Sequence, residues 1–328
     1  ESGKFGQIFS GLLQDKIEDR LQKKEQIILL QNRRGYSPVV RCGDCGDIVM
    51  CPQCKVALTY HRKGSQLICH CCGHFETKQR EACRSCQSPN MKYSGTGTQR
   101  VESLIKETFP DARLGRLDMD TARTGSGLTK ILKDFSDGKL DILLGTQMIA
   151  KGLDFPNATL VGIINADLGL HLPDFRAGER IFQLIYQASG RAGRRLKPGE
   201  VVIQTYVPDN PVIKNAAKLD MMKYYNIALS ERNELKYPPF SWLAKIEITG
   251  QNQTSANSLS ERIAKALKGK YTGLDVLGPS SCYLEKLRNN YRFQIVFKSL
   301  KKVDPNGQKL HQFITNNFRD FQKKYRPG

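Results

Sequence analysis

The chain has 328 residues, 39% hydrophobic and 25% charged, with 51 Lys or Arg against 32 Asp or Glu and a formal net charge of +19. That length suits two or three domains that each bury a core, and no apolar run approaches the roughly 20 residues a membrane helix needs. The charge surplus points to a polyanionic partner, because each Lys or Arg that contacts a phosphate releases condensed counterions.

In chain order, Leu12, Leu13, Ile17 and Leu21 fall at helical spacing among charged neighbours, which predicts a surface helix. Ile27-Ile-Leu-Leu30 reads as a buried strand, and Asn32-Arg33-Arg34-Gly35-Tyr36 as the turn that ends it. A cysteine block follows. Eight of the ten cysteines form four Cys-x-x-Cys pairs between residues 42 and 86: Cys42/Cys45, Cys51/Cys54, Cys69/Cys72 and Cys83/Cys86. Four such pairs suit metal rather than disulfides and a reducing compartment. Each pair can place two thiolates on a tetrahedral zinc, and two pairs complete a structural site. Five residues separate the first pair from the second, and fourteen lie between Cys54 and Cys69. This spacing favours a nested arrangement: Cys42, Cys45, Cys83 and Cys86 on one zinc, and Cys51, Cys54, Cys69 and Cys72 on a second. An interleaved arrangement is the alternative, with His61, His70 and His74 as spare ligands. So few large apolar residues lie here that metal is expected to supply most of the folding energy.

After Tyr93, Ser94-Gly-Thr96-Gly-Thr98-Gln99 is a turn before a helix over 101–108, whose exposed amides could hold a phosphate. Strands are predicted near 113–117, at 141–144, at 159–165 and at 200–206, with helices near 128–135 and 176–188. Strands alternating with helices read as a parallel sheet. Pro208, Pro211 and the Tyr237-Pro238-Pro239-Phe240 segment mark a domain edge. The remainder reads as strand 242–249, helix 255–267, a strand near Leu274, strand 292–298 and helix 308–324, a small α+β domain. From Ser255 onward, fifteen Lys or Arg face five Asp or Glu, a surplus of ten. Within it, basic residues alternate with aromatics from Lys286 through Arg288 and Tyr291 to Arg292 and Phe293, a pattern suited to nucleic-acid backbone and bases. Phe293 and Cys282 are expected to be buried.

Two further segments carry the chemistry. Gly145-Thr146-Gln147, Lys151-Gly152 and Asp154 follow the apolar run 141–144, at the carboxyl end of a strand, where open α/β sheets bind ligands. Gln187-Ala-Ser-Gly190-Arg191-Ala-Gly193-Arg194 places two guanidinium groups three residues apart, on one helical face, suited to a polyphosphate. These segments resemble motifs five and six of superfamily-two helicases, and the cysteine block makes the chain similar to the PriA family of primosomal replication-restart DNA helicases, from Asn32 to about Gln294. The implied fold class is α/β: a RecA-like parallel-sheet helicase lobe (1–41 and 93–207) interrupted by a two-zinc Cys-rich module (42–92) and followed by a small α+β domain (208–328) that meets DNA and partners.

The resemblance also implies roles. Arg191 and Arg194 would be arginine fingers and Gln187 the residue coupling nucleotide to DNA. Asp154 and Gly152 would lie on the ATP side, and Thr146, Lys151, Thr96 and Gln99 on the DNA side, joined by the basic Arg288 and Arg292. No Gly-x-x-x-x-Gly-Lys-Ser/Thr loop and no acidic magnesium box occur, so ATP and Mg2+ are expected to bind together with a first lobe lying outside this chain, which alone would be inactive. The family's activity is 3′ to 5′ unwinding at stalled or recombination-derived forks, leading to primosome assembly. Its partners would be branched and single-stranded DNA, the acidic tail of single-stranded DNA-binding protein, for which Lys301, Lys302 and Lys309 are candidates, and helicase-loader proteins. A monomer in a cytoplasmic, nucleoid-associated setting, without membrane, is expected. The alternatives are a non-enzymatic zinc-dependent DNA-binding module, a thiol-redox protein, and a related translocase, the last disfavoured by the doubled cysteine block.

Overall fold

Gln-Ile-Ile-Leu-Leu, the strand β1 (Gln26–Leu30), is buried along its whole length and is the centre of a five-stranded sheet. The computed structural model describes residues 8–31, 39–53, 57–61, 66–70, 72–76, 82–94, 98–117, 125–146, 155–170, 172, 174–190, 199–269 and 272–324. β1 is flanked by β8 (Ile142–Gly145) and β9 (Ala158–Ile163), with β7 (Leu114–Leu117) and β10 (Glu200–Ile203) at the edges, and every pairing is parallel. Strands buried on both faces read as continuous apolar runs, and here the two faces have separate cores. Ile27, Leu29, Ile142 and Leu144 pack on one side with α1 (Gly11–Gln22) and α2 (Thr98–Thr108), through Leu13, Ile17, Val101 and Ile105. Ile28, Leu30, Leu143 and Val161 pack on the other with Phe135 of α3 (Gly125–Ser136) and with Ile181, Phe182 and Ile185 of α5 (Ala177–Ser189).

Between β1 and α2 the chain leaves this sheet for a small antiparallel one, ordered β5-β4-β3-β2-β6. Its strands are β2 (Val39–Cys42), β3 (Thr59–His61), β4 (Gln66–Ile68), β5 (Phe75–Glu76) and β6 (Met91–Ser94). β2 pairs with β6, Val39 opposite Ser94 and Cys42 opposite Met91. The insertion is therefore wider than the 42–92 read from the cysteines, because antiparallel pairing of its first and last strands takes in 39–41 and 93–94. Its core is small: Val40, Val49, Cys51, Leu58, Leu67 and Cys69.

After β10, Asp167 and the segment 204–206 interlock. The strand expected to run to Tyr206 stops at Ile203 because Thr205 Oγ1 and the Tyr206 amide turn to donate to the Asp167 carboxylate, at 2.6 and 3.0 Å. Asp167 opens the short helix α4 (Asp167–Leu170), which is why β9 also ends early, at Ile163. The helices α6 (Pro211–Ala217) and α7 (Met221–Glu234) lead to the last sheet, β11 (Ser241–Gly250), β13 (Asn290–Leu300) and β12 (Leu274–Leu287), antiparallel with β13 in the middle. α8 (Gln253–Leu267) and α9 (Gln308–Lys324) cover its apolar side through Ile263, Leu267 and Leu310 against Ile248, Phe293, Ile295 and Phe297. The strand expected only near Leu274 continues for 14 residues, so the basic and aromatic segment around Lys286 is the end of a hairpin. Its turn residues Arg288 and Asn289 have φ of 48° and 63°, the left-handed pair that two-residue hairpin turns require.

Phe175, ahead of α5, stacks on Tyr237 at 4.8 Å between ring centroids, and Arg232 of α7 lies over Phe175 at 4.9 Å while donating to Glu179. Lys298 of β13 covers the other ring, 3.6 Å from the Tyr237 centroid, and donates to the Leu235 carbonyl at 3.0 Å. This column joins the parallel-sheet lobe to the terminal domain. Among the described residues no helix is long and apolar enough to cross a membrane.

Candidate functional site

The β2–β6 pairing brings the two ends of the cysteine block together. Cys42, at the end of β2, lies 3.5 Å from Cys86 and Cys45 lies 3.6 Å from Cys83, sulfur to sulfur, with all four within 4.8 Å of one another. A disulfide would need about 2.05 Å, whereas thiolates on a tetrahedral zinc, about 2.3 Å from the metal, stand roughly 3.8 Å apart. The cluster therefore has the spacing of a metal site. Its two knuckles mirror each other: the Asp44 amide donates to Cys42 and the Ser85 amide to Cys83, each at 3.4 Å, and the residues after the second cysteines, Gly46 and Gln87, are both left-handed. Ser85 donates to Asp47 at 2.6 Å and Asn90 to Asp44 at 2.8 Å, which ties one knuckle to the other.

Charge is uneven within this cluster. Burial pushes the Cys42 thiol up, but the Cys45 and Asp44 amides and the neighbouring thiols outweigh it and hold Cys42 down to about 7. At Cys45 the Asp47 amide pulls down, yet burial and the thiols of Cys86, Cys83 and Cys42 push it up to about 12. Four crowded thiols cannot all ionise unaided, and a divalent cation is what would relieve that repulsion.

The second cluster holds Cys51, Cys69 and Cys72, with Cys51 and Cys72 3.7 Å apart. Cys54, its expected fourth member, lies outside the described residues. Cys51 and Cys69 are part of the small core, so this cluster is also the module's apolar centre. The spare histidines are used otherwise. His70 is buried and donates from Nδ1 to the Ser281 carbonyl at 2.7 Å, and His74 Nε2 faces Glu76 at 3.8 Å; the His61 side chain lies outside the described residues.

The motif residues are only partly described. Thr146 follows β8 at the carboxyl edge of the parallel sheet and is 8% exposed. Gln187 is half-buried in the last turn of α5, whose apolar face holds it against the sheet. The backbone of Gln99 is in the first turn of α2. Thr96, Lys151, Gly152, Asp154, Arg191 and Arg194 lie outside the described residues. In the terminal domain Arg288 is exposed at the hairpin turn, whereas Arg292 is not a free cation: it forks onto the Glu247 carboxylate at 2.6 and 2.9 Å, and this pairing holds Glu247 below the usual range. Phe293 and Cys282 are buried as expected, 8% and 3% exposed. Sequence reasoning missed Asp167, a buried carboxyl that desolvation pushes up despite donors from Thr205 and Tyr206, and missed the contacts of His70. Asp167 stands in no motif, and His70 stands inside the Cys69/Cys72 pair, where the pattern suggests a ligand rather than a contact with a distant strand. An isolated acid inside an apolar stretch, Ala166-Asp167-Leu168, was the available signal for the first.

Three family models match in chain order. The PriA DNA helicase Cys-rich region domain covers 51–76, the helicase conserved C-terminal domain covers 93–195, and the primosomal protein N C-terminal domain covers 233–326. Replication restart protein PriA of Bacillus subtilis is 43% identical over 320 residues, 97% of this chain and 39% of that protein. Its counterparts of Chlamydia pneumoniae and Treponema pallidum are 36% and 39% identical over 96% and 88% of this chain, and 42% and 44% of theirs. The chain thus spans about two fifths of the length of these relatives. With its lobe, cysteine-rich region and terminal domain matched in succession, and with relatives of one name aligned along nearly its whole length, the chain belongs to the PriA family of replication restart proteins and corresponds to a carboxyl-terminal part of one.

Proposed function

We propose that this chain is the second motor lobe, zinc module and terminal domain of an ATP-dependent 3′ to 5′ DNA helicase that acts at stalled or recombination-derived forks and starts primosome assembly. The observation that carries the proposal is the pair of nested cysteine clusters inserted between β1 and α2 of a parallel-sheet helicase lobe. Cys42, Cys45, Cys83 and Cys86 hold one zinc; Cys51, Cys54, Cys69 and Cys72 hold the second. Thiol spacing supports both, and each zinc supplies a cross-link that a core this small cannot supply by itself.

ATP and Mg2+ bind between this lobe and a first lobe that carries the phosphate loop. Arg191 and Arg194 then stabilise the charge that builds on the transferred phosphoryl group, an effect on the order of 10³ to 10⁵ in rate for nucleotidases. Asp154 and Gly152 stand on the nucleotide side, and Gln187 couples nucleotide state to DNA. Lys151, Thr96 and Gln99 face the DNA backbone. The burial of Thr146 suits a link between nucleotide and DNA more than a direct phosphate contact. Arg288, at an exposed hairpin turn, is the better placed of the two arginines in the terminal domain for DNA, since Arg292 is neutralised by Glu247. Single-stranded DNA-binding protein and a helicase loader are the protein partners in this reading.

The test is DNA-stimulated ATP hydrolysis by the full-length protein, wild type against Arg194→Ala, at matched DNA binding. A fall of roughly two orders of magnitude or more is expected. Unchanged turnover would leave the chain as a zinc-dependent DNA-binding module.

A further inference from the structure

Two knuckles share one pattern, Cys42-Gly-Asp-Cys45-Gly46 and Cys69-His-Cys-Cys72-Gly73. In each, the closing glycine is left-handed, with φ of 77° at Gly46 and 82° at Gly73, a conformation that glycine adopts without strain. The two glycines also press against different parts of the molecule. A Cβ at Gly46 would stand 3.0 Å from Tyr206 Cβ, just beyond β10 of the parallel-sheet lobe; a Cβ at Gly73 would stand 2.6 Å from the Pro279 carbonyl, in β12 of the terminal domain.

Side chains repeat this division. Arg41, next to Cys42, places its guanidinium 4.1 Å from the centroid of the Tyr206 ring, and the Tyr206 amide is held by the buried Asp167 carboxylate. His70, inside the other knuckle, is 2% exposed and donates from Nδ1 to the Ser281 carbonyl. Its own carbonyl accepts from Ser280 Oγ at 3.3 Å and from the Gln294 amide, and its ring meets Tyr283 edge-on at 6.1 Å. The outer cluster's contacts thus run to the lobe and the inner cluster's to the terminal domain.

We propose that the cysteine module is a two-ended bridge, in which the outer thiol cluster orders the knuckle seated on the lobe and the inner cluster orders the knuckle seated on the terminal domain. Each zinc then fixes the position of one neighbouring domain. The inference rests on the zinc reading above. Its physical basis is that the module's few apolar residues cannot by themselves hold two glycine-terminated loops in the shape that places Gly46, His70 and Gly73 in contact; cross-linking the thiolates does.

The experiment is amide exchange on the zinc-loaded 328-residue chain, followed by mass spectrometry over residues 277–283 and 204–207, with zinc counted in the same samples. Gln294→Ala removes a donor to His70 from the terminal-domain side and leaves every residue of the cysteine module intact; His70→Ala removes the ring. Both are expected to keep wild-type zinc, to speed exchange over 277–283 by roughly tenfold or more, and to leave 204–207 unchanged. Cys51→Ser is expected to lose one zinc with the same local effect, and Cys86→Ser to lose one zinc and speed 204–207 alone. Unchanged exchange over 277–283 in Cys51→Ser and Gln294→Ala would overturn the proposal, and so would loosening of both ends by either cysteine substitution. A wild-type chain without zinc would overturn the metal reading itself; if exchange over 277–283 still responded to Gln294→Ala, the contact would stand without the metal and the proposed control by zinc would fall.

Discussion

Glu247 and Arg292 show how one residue's partner changes its meaning. Arg292 lies in a basic, aromatic stretch that suits nucleic acid, yet its guanidinium forks diagonally onto Glu247 of the neighbouring strand, since Thr249 stands opposite Arg292 and Gln294 opposite Glu247 in the β11–β13 register. The pairing with Arg292 is the largest influence lowering the Glu247 carboxyl from its ordinary 4.5. A carboxyl lowered in the folded state contributes stability that is present above its unfolded value and is lost as pH falls through the folded one. Arg292→Ala is therefore expected to cost about 0.5–1 kcal/mol at pH 7 and progressively less below pH 4.5, because protonated Glu247 no longer distinguishes the two proteins. Urea unfolding of both at neutral and at acid pH checks this; an equal loss at both would mean that packing, not charge, holds the pair. Cysteine identity and spacing were legible at this scale from the sequence alone. The partners of His70, Arg41 and Arg292 were not, because a hydrogen bond between residues 211 apart, as between His70 and Ser281, leaves no trace in local pattern.

At the level of elements, apolar periodicity indicated most of the structure. The run Ile27-Ile-Leu-Leu30 became the central strand, and the helix expected over 308–324 is α9 with those bounds. Ends were less legible where a side chain or a turn decided them, as at Asp167 after β9 and at Arg288-Asn289 between β12 and β13. Packing between elements is tight where α1 crosses β9. A Cβ at Gly162 would stand 2.7 Å from Leu29 Cδ2 and 2.9 Å from Leu13 Cδ1, and both leucines are fully buried. Gly162→Ala is expected to destabilise the lobe by about 1–3 kcal/mol through overpacking, read as a lower urea midpoint with an unchanged slope. A neutral result would show that α1 shifts outward without loss of packing.

For the whole molecule, charge and connectivity matter most. The surplus of ten positive charges from Ser255 onward is more than half of the net +19, so DNA binding by this chain is expected to weaken steeply with salt, in proportion to the phosphates neutralised. Arg288→Ala should lower the slope of log K against log salt by about one, with a similar loss for every sequence tested. Fluorescence anisotropy over a salt series measures it, and an unchanged slope would remove Arg288 from the interface. Among the described residues the three sheets are joined by contacts of high chemical specificity: the Phe175–Tyr237 stack between lobe and terminal domain, Tyr206 under Arg41 between lobe and cysteine module, and His70 against β12 between module and terminal domain.

The sequence by itself determined the parallel lobe, the four thiol pairs, the basic terminal domain and the family resemblance, because buried strands, metal ligands and helicase motifs each impose a short-range pattern; the nested grouping of the pairs, favoured by spacing, was decided over the interleaved one by the pairing of β2 with β6. Only the tertiary structure decided that Thr146 is buried, that Arg292 is spoken for, and that one knuckle faces the lobe while its near copy faces the terminal domain. Those outcomes depend on which surfaces meet after the sheets have formed. Two knuckles with the same Cys-x-x-Cys-Gly pattern acquire different neighbours through the path of the chain between them and through the residues, such as His70, that differ within the pattern.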